Sequence, residues 1–99
     1  NLSEYHFDHA FLGADSVSDE FGIMTTDELT ANMNRVVIHQ SKSSHVLSAS
    51  NKFGRTSFVT YAQANEITSI ITDAEIKKEH ENAFTQQGLT LEIVSTGTE

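Results

Sequence analysis

The sequence of 99 residues contains neither cysteine nor proline. The lack of cysteine excludes disulfide bonds, thiol nucleophiles and cysteine-ligated zinc. Because a small secreted domain usually needs such cross-links, the composition favours the cytoplasm. No apolar run approaches the roughly 20 residues of a membrane-spanning helix, and we expect no secretory signal, because no basic segment precedes an apolar stretch.

Basic side chains are few, and the net charge is −8. This balance argues against binding of nucleic acid by these residues themselves, and against docking on an anionic membrane, because both need clustered cations. Residues 35–65 nevertheless contain Arg35, Lys42, Lys52 and Arg55 and no acidic residue. Seven acidic residues precede this segment and seven follow it. A cationic middle is typical of a site for a small anion such as a phosphate ester, although an ordinary solvated surface is the alternative.

Strand and helix patterns alternate along the chain. Strands are predicted at residues 7–12, 45–49, 58–61, 67–72 and 89–94. Loops are predicted at residues 13–26 and 50–57, which are rich in glycine and short polar side chains. With one helix in the first half and another in the second, this order predicts an α/β fold with a mostly parallel sheet and flanking helices.

The two predicted helices have recognisable ends. Thr26 or Asp27 can cap the first helix, whose apolar periodicity extends to about Ser41. Asp73 is expected to cap the second, and Gly88 to end it. Two helices cannot cover both faces of a parallel sheet, so we expect a fragment, or a subunit that needs another segment to complete its sheet.

Two stretches at the ends of predicted strands contain side chains suited to ligand binding. Asp15 follows a strand that ends at Gly13, and Lys52 lies in the loop after the next strand of the sheet. In open α/β sheets, ligands bind outside the carboxyl ends of the strands, where Asp15 could accept hydrogen bonds from sugar hydroxyls and Lys52 could bind phosphate. The alternatives are an aspartate bonded to local backbone and a lysine in a solvated turn.

Other chemistry has weaker support. The pattern His6-x-Asp8-His9 places His6 and Asp8 on one face of a strand, a minor candidate for metal binding. The remaining histidines are isolated, and the common motifs for zinc hydrolysis, nucleophilic serine and nucleotide binding are lacking. We therefore predict no metal ligands, no catalytic residues and no cofactor. Phe53, Phe58 and Tyr61 are interpreted as core residues, not as platforms for nucleic-acid bases.

Several motifs resemble one family in order and spacing. They are FDHAFLGADSV at residues 7–17, FGIMT at 21–25, Ala31 and Arg35 on the helix, VLSASNKFGR at 46–55 and ITD at 71–73. Together they resemble the C-terminal sensor domain of DeoR-type bacterial transcriptional regulators. The resemblance covers nearly the whole chain.

The resemblance implies a Rossmann-like fold related to ribose-5-phosphate isomerase and glucosamine-6-phosphate deaminase. It implies a homo-oligomeric repressor of sugar metabolism that binds a phosphorylated sugar and holds operator DNA through an N-terminal winged helix-turn-helix. Residues 1–99 would be the C-terminal part of the sensor domain, without that module and without the first half of the domain. The positions expected to face the ligand are Gly13, Asp15, Thr25 and Lys52.

Departures from the family pattern affect the expected chemistry. Met24 stands at a usual threonine and Ala49 at a common aspartate, so the usual set of ligand-binding residues is incomplete here. Leu12 stands where the isomerases have an acid, which leaves Asp15 alone. Proton transfer needs a positioned base, so we expect no enzyme. The alternatives are a sugar-phosphate isomerase or deaminase fragment, and a module for oligomerisation only.

Overall fold

A computed structural model describes residues 6–95, which contain seven strands, two α-helices and two single turns of 3₁₀ helix. The strands are β1 (Phe7–Gly13), β2 (Ser16–Ser18), β3 (Gly22–Thr25), β4 (Ser41–Leu47), β5 (Val59–Ala62), β6 (Ser69–Asp73) and β7 (Thr90–Val94). The helices are α1 (Glu28–His39) and α2 (Lys78–Gln86). No helix within residues 6–95 is both long and apolar enough to cross a membrane.

Four strands form a parallel sheet in the order β1-β4-β6-β7. The helix α1 lies in the crossover from β1 to β4 and α2 in the crossover from β6 to β7, whereas the crossover from β4 to β6 contains β5 and no α-helix. The predicted α/β class, with a mostly parallel sheet and flanking helices, is thereby confirmed. Gly13 pairs with Leu47, and Leu47 with Ile71, so the carboxyl ends of the strands meet at one edge.

A second, antiparallel sheet has the order β2-β3-β5. The prediction of a loop at residues 13–26 was therefore wrong, because β2 and β3 form a hairpin there. Every residue of both strands is buried, so the alternation that marks a half-exposed strand is missing. Their small polar side chains find partners inside the protein: the Ser16 hydroxyl donates to Ser57 Oγ (2.8 Å), and Ser18 Oγ accepts from the backbone N–H of Phe21 (2.9 Å).

The helix ends test the capping predictions. Asp27 caps α1, since its Oδ2 accepts from the backbone N–H of Thr30 (2.8 Å). Gly88 ends α2 as predicted, at a φ of +86°, and the N–H of Leu89 reaches back to the Phe84 carbonyl (3.2 Å).

Two other boundaries differ from the predictions. Asp73 does not cap α2, which begins at Lys78; its carboxylate instead accepts from the N–H groups of Ser50 and Glu75, both at 3.0 Å. Aspartate stabilises tight turns as readily as helix ends, so its identity alone could not separate the two. The strand β4 begins at Ser41, four residues earlier than predicted, directly after the turn that ends α1.

The helices pack on one face of the parallel sheet. The buried cluster includes Val46 and Ile70 from the sheet, Ala31 from α1 and Phe84 from α2. The opposite face lacks such a layer within residues 6–95. There the side chains of Phe11, Leu47 and Val94 are 63%, 47% and 47% exposed. We call these three residues the bare face; they agree with the expectation that two helices cover only one side.

One buried polar atom provides a test of the packing. The Thr72 hydroxyl is buried and has no hydrogen-bond partner among residues 6–95. A buried unpaired hydroxyl is destabilising, so Thr72→Val is expected to raise the free energy of unfolding by about 1 kcal/mol. Chemical denaturation measures the change. The matched control Val46→Thr adds a hydroxyl to the same core and should lower stability; a loss of stability in Thr72→Val would contradict the prediction.

Candidate functional site

The carboxyl ends of β1 and β4 lie side by side and position the candidate site. Asp15 lies two residues after β1, and Lys52 ends a single helical turn, Ser50–Lys52, that follows β4. Because Gly13 and Leu47 are paired at the ends of these strands, Gly13, Asp15 and Lys52 lie along one edge of the sheet, as the predicted strand order requires.

The Asp15 carboxylate is held by the end of the hairpin. Its Oδ2 accepts hydrogen bonds from Thr25 Oγ1 (2.8 Å), Thr26 N (2.9 Å) and Thr26 Oγ1 (3.3 Å). The backbone N–H of Asp15 donates to the Met24 carbonyl (3.0 Å). Within residues 6–95, no hydrogen bond to Asp15 Oδ1 is found.

These donors favour the ionised form of Asp15. The backbone N–H of Thr26 and then the hydroxyl of Thr25 lower the pKa of the carboxyl below its ordinary 3.8, and the Lys52 ammonium lowers it further. Slight desolvation opposes them. Asp15 is therefore a fixed acceptor at neutral pH, and Lys52 is near enough for its charge to act on it.

Tyr61 supports the site in a way that the sequence did not indicate. Its side chain is buried, and its hydroxyl donates to the Gly13 carbonyl (2.7 Å). Burial, and then the charge of Asp15, raise the pKa of Tyr61, so the hydroxyl keeps its proton. A buried tyrosine needs a partner for its hydroxyl, but that partner is 48 positions away. Phe53 is buried as predicted, whereas Phe58 is 73% exposed and is not a core residue.

An open cleft of about 520 Å³ lies beside Gly13 and Asp15. Its polar lining includes Thr25, Thr26, Asp27, Thr30 and Asn34. Carboxylates, hydroxyls and one amide suit a ligand with several hydroxyl groups. No lysine or arginine lines the cleft, so a negatively charged group would need the Lys52 side of the edge.

The cations of the middle segment do not gather in one patch. Lys42 lies near the start of β4, at the opposite end from Lys52, with its Nζ 3.8 Å from Asp8 Oδ1. Arg35 donates to Asn32 Oδ1 (2.7 Å) and to the Thr60 carbonyl (2.6 Å). The interpretation of residues 35–65 as one anion site therefore reduces to Lys52 and Arg55, which lie three residues apart between β4 and β5.

Two of the histidines, His9 and His45, lie side by side, which the sequence did not predict. His9 Nδ1 lies 3.2 Å from His45 Nε2, and the His45 ring stacks on Phe11 with centroids 5.1 Å apart. His6 and Asp8 instead line a surface depression at the start of β1. In the described part of the chain, no three histidine or acidic side chains are grouped so that they could hold a metal ion.

Comparison with known proteins gives a consistent result. Residues 1–74 match the family model described as the DeoR C-terminal sensor domain. The chain is 39% identical over 74 residues to FruR, an uncharacterised HTH-type transcriptional regulator of Bacillus subtilis, covering 75% of this chain and 30% of that protein. It is 42% identical over 72 residues to the B. subtilis HTH-type transcriptional repressor GlcR, covering 73% of this chain and 28% of GlcR.

A third relative extends the match beyond residue 74. The HTH-type transcriptional regulator GlpR of Haloferax volcanii is 29% identical over 90 residues, covering 91% of this chain and 35% of GlpR. The chain thus spans about a third of the length of these relatives.

The Thr25 hydroxyl provides a direct test of the Asp15 geometry. We expect Thr25→Val to raise the pKa of Asp15 towards its ordinary 3.8, because one donor to the carboxylate is lost. The control Thr25→Ser keeps a hydroxyl and should leave the pKa low. An NMR titration that follows the Asp15 carboxyl carbon measures both, and equal values in the two variants would contradict the geometry.

Proposed function

Because this chain belongs to the family of DeoR C-terminal sensor domains, we propose that it binds a phosphorylated sugar as the effector of a transcriptional repressor of sugar metabolism. The observation that supports this function is the arrangement at the sheet edge. Asp15 is fixed by the hairpin beside Gly13, and Lys52 comes to the same edge from the neighbouring strand.

The proposed roles follow from the donors and acceptors available. Asp15 Oδ1 accepts a hydrogen bond from a sugar hydroxyl, while Lys52 binds the phosphate as a point charge. A Cβ placed on Gly13 would meet nothing within 4 Å, so the ligand can approach the backbone closely there. Thr25 acts through Asp15, since its hydroxyl is already donated to the carboxylate.

The cleft does not favour turnover. Asp27 is the second carboxylate in its lining, but it caps α1, and both the hydroxyl and the backbone N–H of Thr30 lower its pKa. Hydrogen bonds lower the pKa of both Asp15 and Asp27, and a carboxylate of low pKa is a weak general base at neutral pH. Leu12 replaces the acid found at that position in the isomerases. We therefore propose binding without catalysis.

We also propose that residues 1–99 are the C-terminal part of the sensor domain. The bare face supports this proposal, because an all-parallel sheet is normally covered on both sides. The longer relatives have room for the missing layer and for a DNA-binding module. Operator DNA would be bound by an N-terminal winged helix-turn-helix, and the full protein would act as a homo-oligomer.

The mechanism that we propose is a shift between two states of the full protein. An effector changes an equilibrium only through its different affinity for the two states. A ligand that bridges Asp15 and Lys52 would favour the state in which the hairpin and the loop after β4 are close together. The second candidate function, oligomerisation only, is favoured by the bare face and needs no ligand.

A thermal-shift panel on the full-length protein tests effector binding. The probes are glucose 6-phosphate, fructose 6-phosphate, fructose 1-phosphate, the free sugars and inorganic phosphate. A ligand at about 100 times its Kd should stabilise the protein by roughly 2.7 kcal/mol. Lys52→Gln should weaken binding by at least about tenfold, because a charge-assisted contact is lost.

The control Lys42→Gln removes the same charge at the opposite end of β4 and should leave binding unchanged. Equal weakening in both variants would mean that the effect is only one of net charge. A free sugar that binds as well as its phosphate would contradict the role of Lys52. No shift with any probe would favour oligomerisation only.

The bare face leads to a separate prediction for the isolated chain. We expect it to self-associate, because Phe11 and Leu47 expose apolar surface on a sheet. Leu47→Ser should weaken association by about tenfold, which corresponds to about 1.4 kcal/mol of apolar burial. Sedimentation velocity measures it. The control Phe58→Ser removes an exposed aromatic side chain outside the parallel sheet. A wild-type chain that is monomeric and has a sharp melting transition would contradict the prediction.

A further inference from the structure

The imidazole of His80 lies where the helix α2 meets the tip of the hairpin. Its side chain is only 12% exposed, and Nδ1 lies 3.3 Å from both carboxylate oxygens of Asp19. On the same helix, Glu79 Oε2 is 3.9 Å from His80 Nε2. The ring is thus mostly removed from solvent, with one carboxylate from the hairpin turn near Nδ1 and one from α2 near Nε2.

The same imidazole packs against the loop that carries Lys52. Gly54 has a φ of +79°, and a Cβ placed on it would lie 2.9 Å from His80 Nε2. The centroid of the Phe53 ring lies 6.0 Å from that of His80. The Phe53 ring also packs edge-on against Phe84, with centroids 5.9 Å apart. Gly54 is therefore favoured by its backbone conformation, and a side chain at this position would displace the His80 ring.

The loop is anchored on either side of Lys52. Before it, the backbone N–H of Ser50 donates to Asp73 Oδ2 (3.0 Å) at the end of β6. After it, the N–H of Gly54 donates to the Val17 carbonyl of β2 (2.8 Å). Since Asp19 belongs to the same hairpin as Val17, His80 contacts both the loop and the element to which the loop is bonded.

The charge on His80 affects this junction. A protonated imidazole attracts the carboxylates of Asp19 and Glu79, whereas a neutral ring keeps only one N–H to donate. The surface depression beside the ring is also lined by Glu75, which adds attraction, and by Lys77, which opposes it. Histidine side chains as a class change their charge between pH 5 and 8.

We propose that His80 is a positioning residue for residues 50–54: in its charged form it holds this loop against the hairpin, and so keeps Lys52 in place for the effector. The consequence for affinity rests on the function proposed above, whereas the ordering of the loop does not. The loop is therefore more firmly held at pH 6 than at pH 8, and the effector binds more tightly at the lower pH.

Hydrogen exchange on the full-length protein without ligand tests the loop directly. The protection factor of the Gly54 amide, corrected for intrinsic exchange, should fall by about threefold from pH 6 to pH 8 in the wild type. His80→Gln can still donate to Asp19 but does not titrate, so its protection should not vary with pH. Asp19→Asn should show the same loss of pH dependence.

The control His39→Gln changes an exposed histidine of α1 and should keep the wild-type pH profile. A wild-type profile that is flat, or that persists in His80→Gln, would overturn the proposal. If His80 had only a structural role, protection in His80→Gln would be lower by the same factor at every pH. The pH dependence would then also persist in Asp19→Asn. Either result would overturn the proposal.

Binding is measured separately, with inorganic phosphate and with the sugar phosphate that gives the largest thermal shift. Affinity in the wild type should fall by about threefold between pH 6 and pH 8 beyond the change caused by ligand ionisation, and His80→Gln should remove that fall. If no probe binds while the Gly54 profile follows His80, the proposed effector site fails and the positioning role stands. Binding with the same pH dependence in wild type and His80→Gln would overturn the link to affinity.

Discussion

The hydrogen bonds accepted by Asp15 are the constraint on which the candidate site depends. One oxygen joins the end of β1 to Thr25, the last residue of β3, and to Thr26, which precedes the first turn of α1. The donors replace water, so the carboxylate stays ionised without needing a cation beside it. Because the partners come from the hairpin, the site forms only when the small antiparallel sheet is in place.

The parallel sheet could be predicted from sequence because its signals are local. Apolar residues in β1 and β6, the Asp27 cap and Gly88 each lie within the element that they define. The hairpin could not be predicted, since its strands are buried on both faces and composed largely of small residues that usually mark loops. The prediction that Asp73 caps α2 was wrong because its carboxylate accepts a hydrogen bond from the backbone N–H of Glu75, in the turn after β6.

The candidate site could likewise be predicted from sequence only in part. The order of parallel strands brings the residues after β1 and β4 to one edge, so Asp15 and Lys52 follow from the chain order. The bond between Tyr61 and Gly13 depends on the packing of β5, which no local pattern reports. Charge along the chain was misleading, because Lys42 and Lys52 are close in sequence but lie at opposite ends of β4.

The proposed ligand site lies close to the bare face. Lys52 lies five residues after the end of β4, whose last residue, Leu47, lies on the bare face and pairs with Gly13. A ligand that changes the spacing of Asp15 and Lys52 would therefore act on the two strands that display Phe11 and Leu47. Any layer packed on that face would meet a different surface in the two states, which is the differential contact that an effector needs.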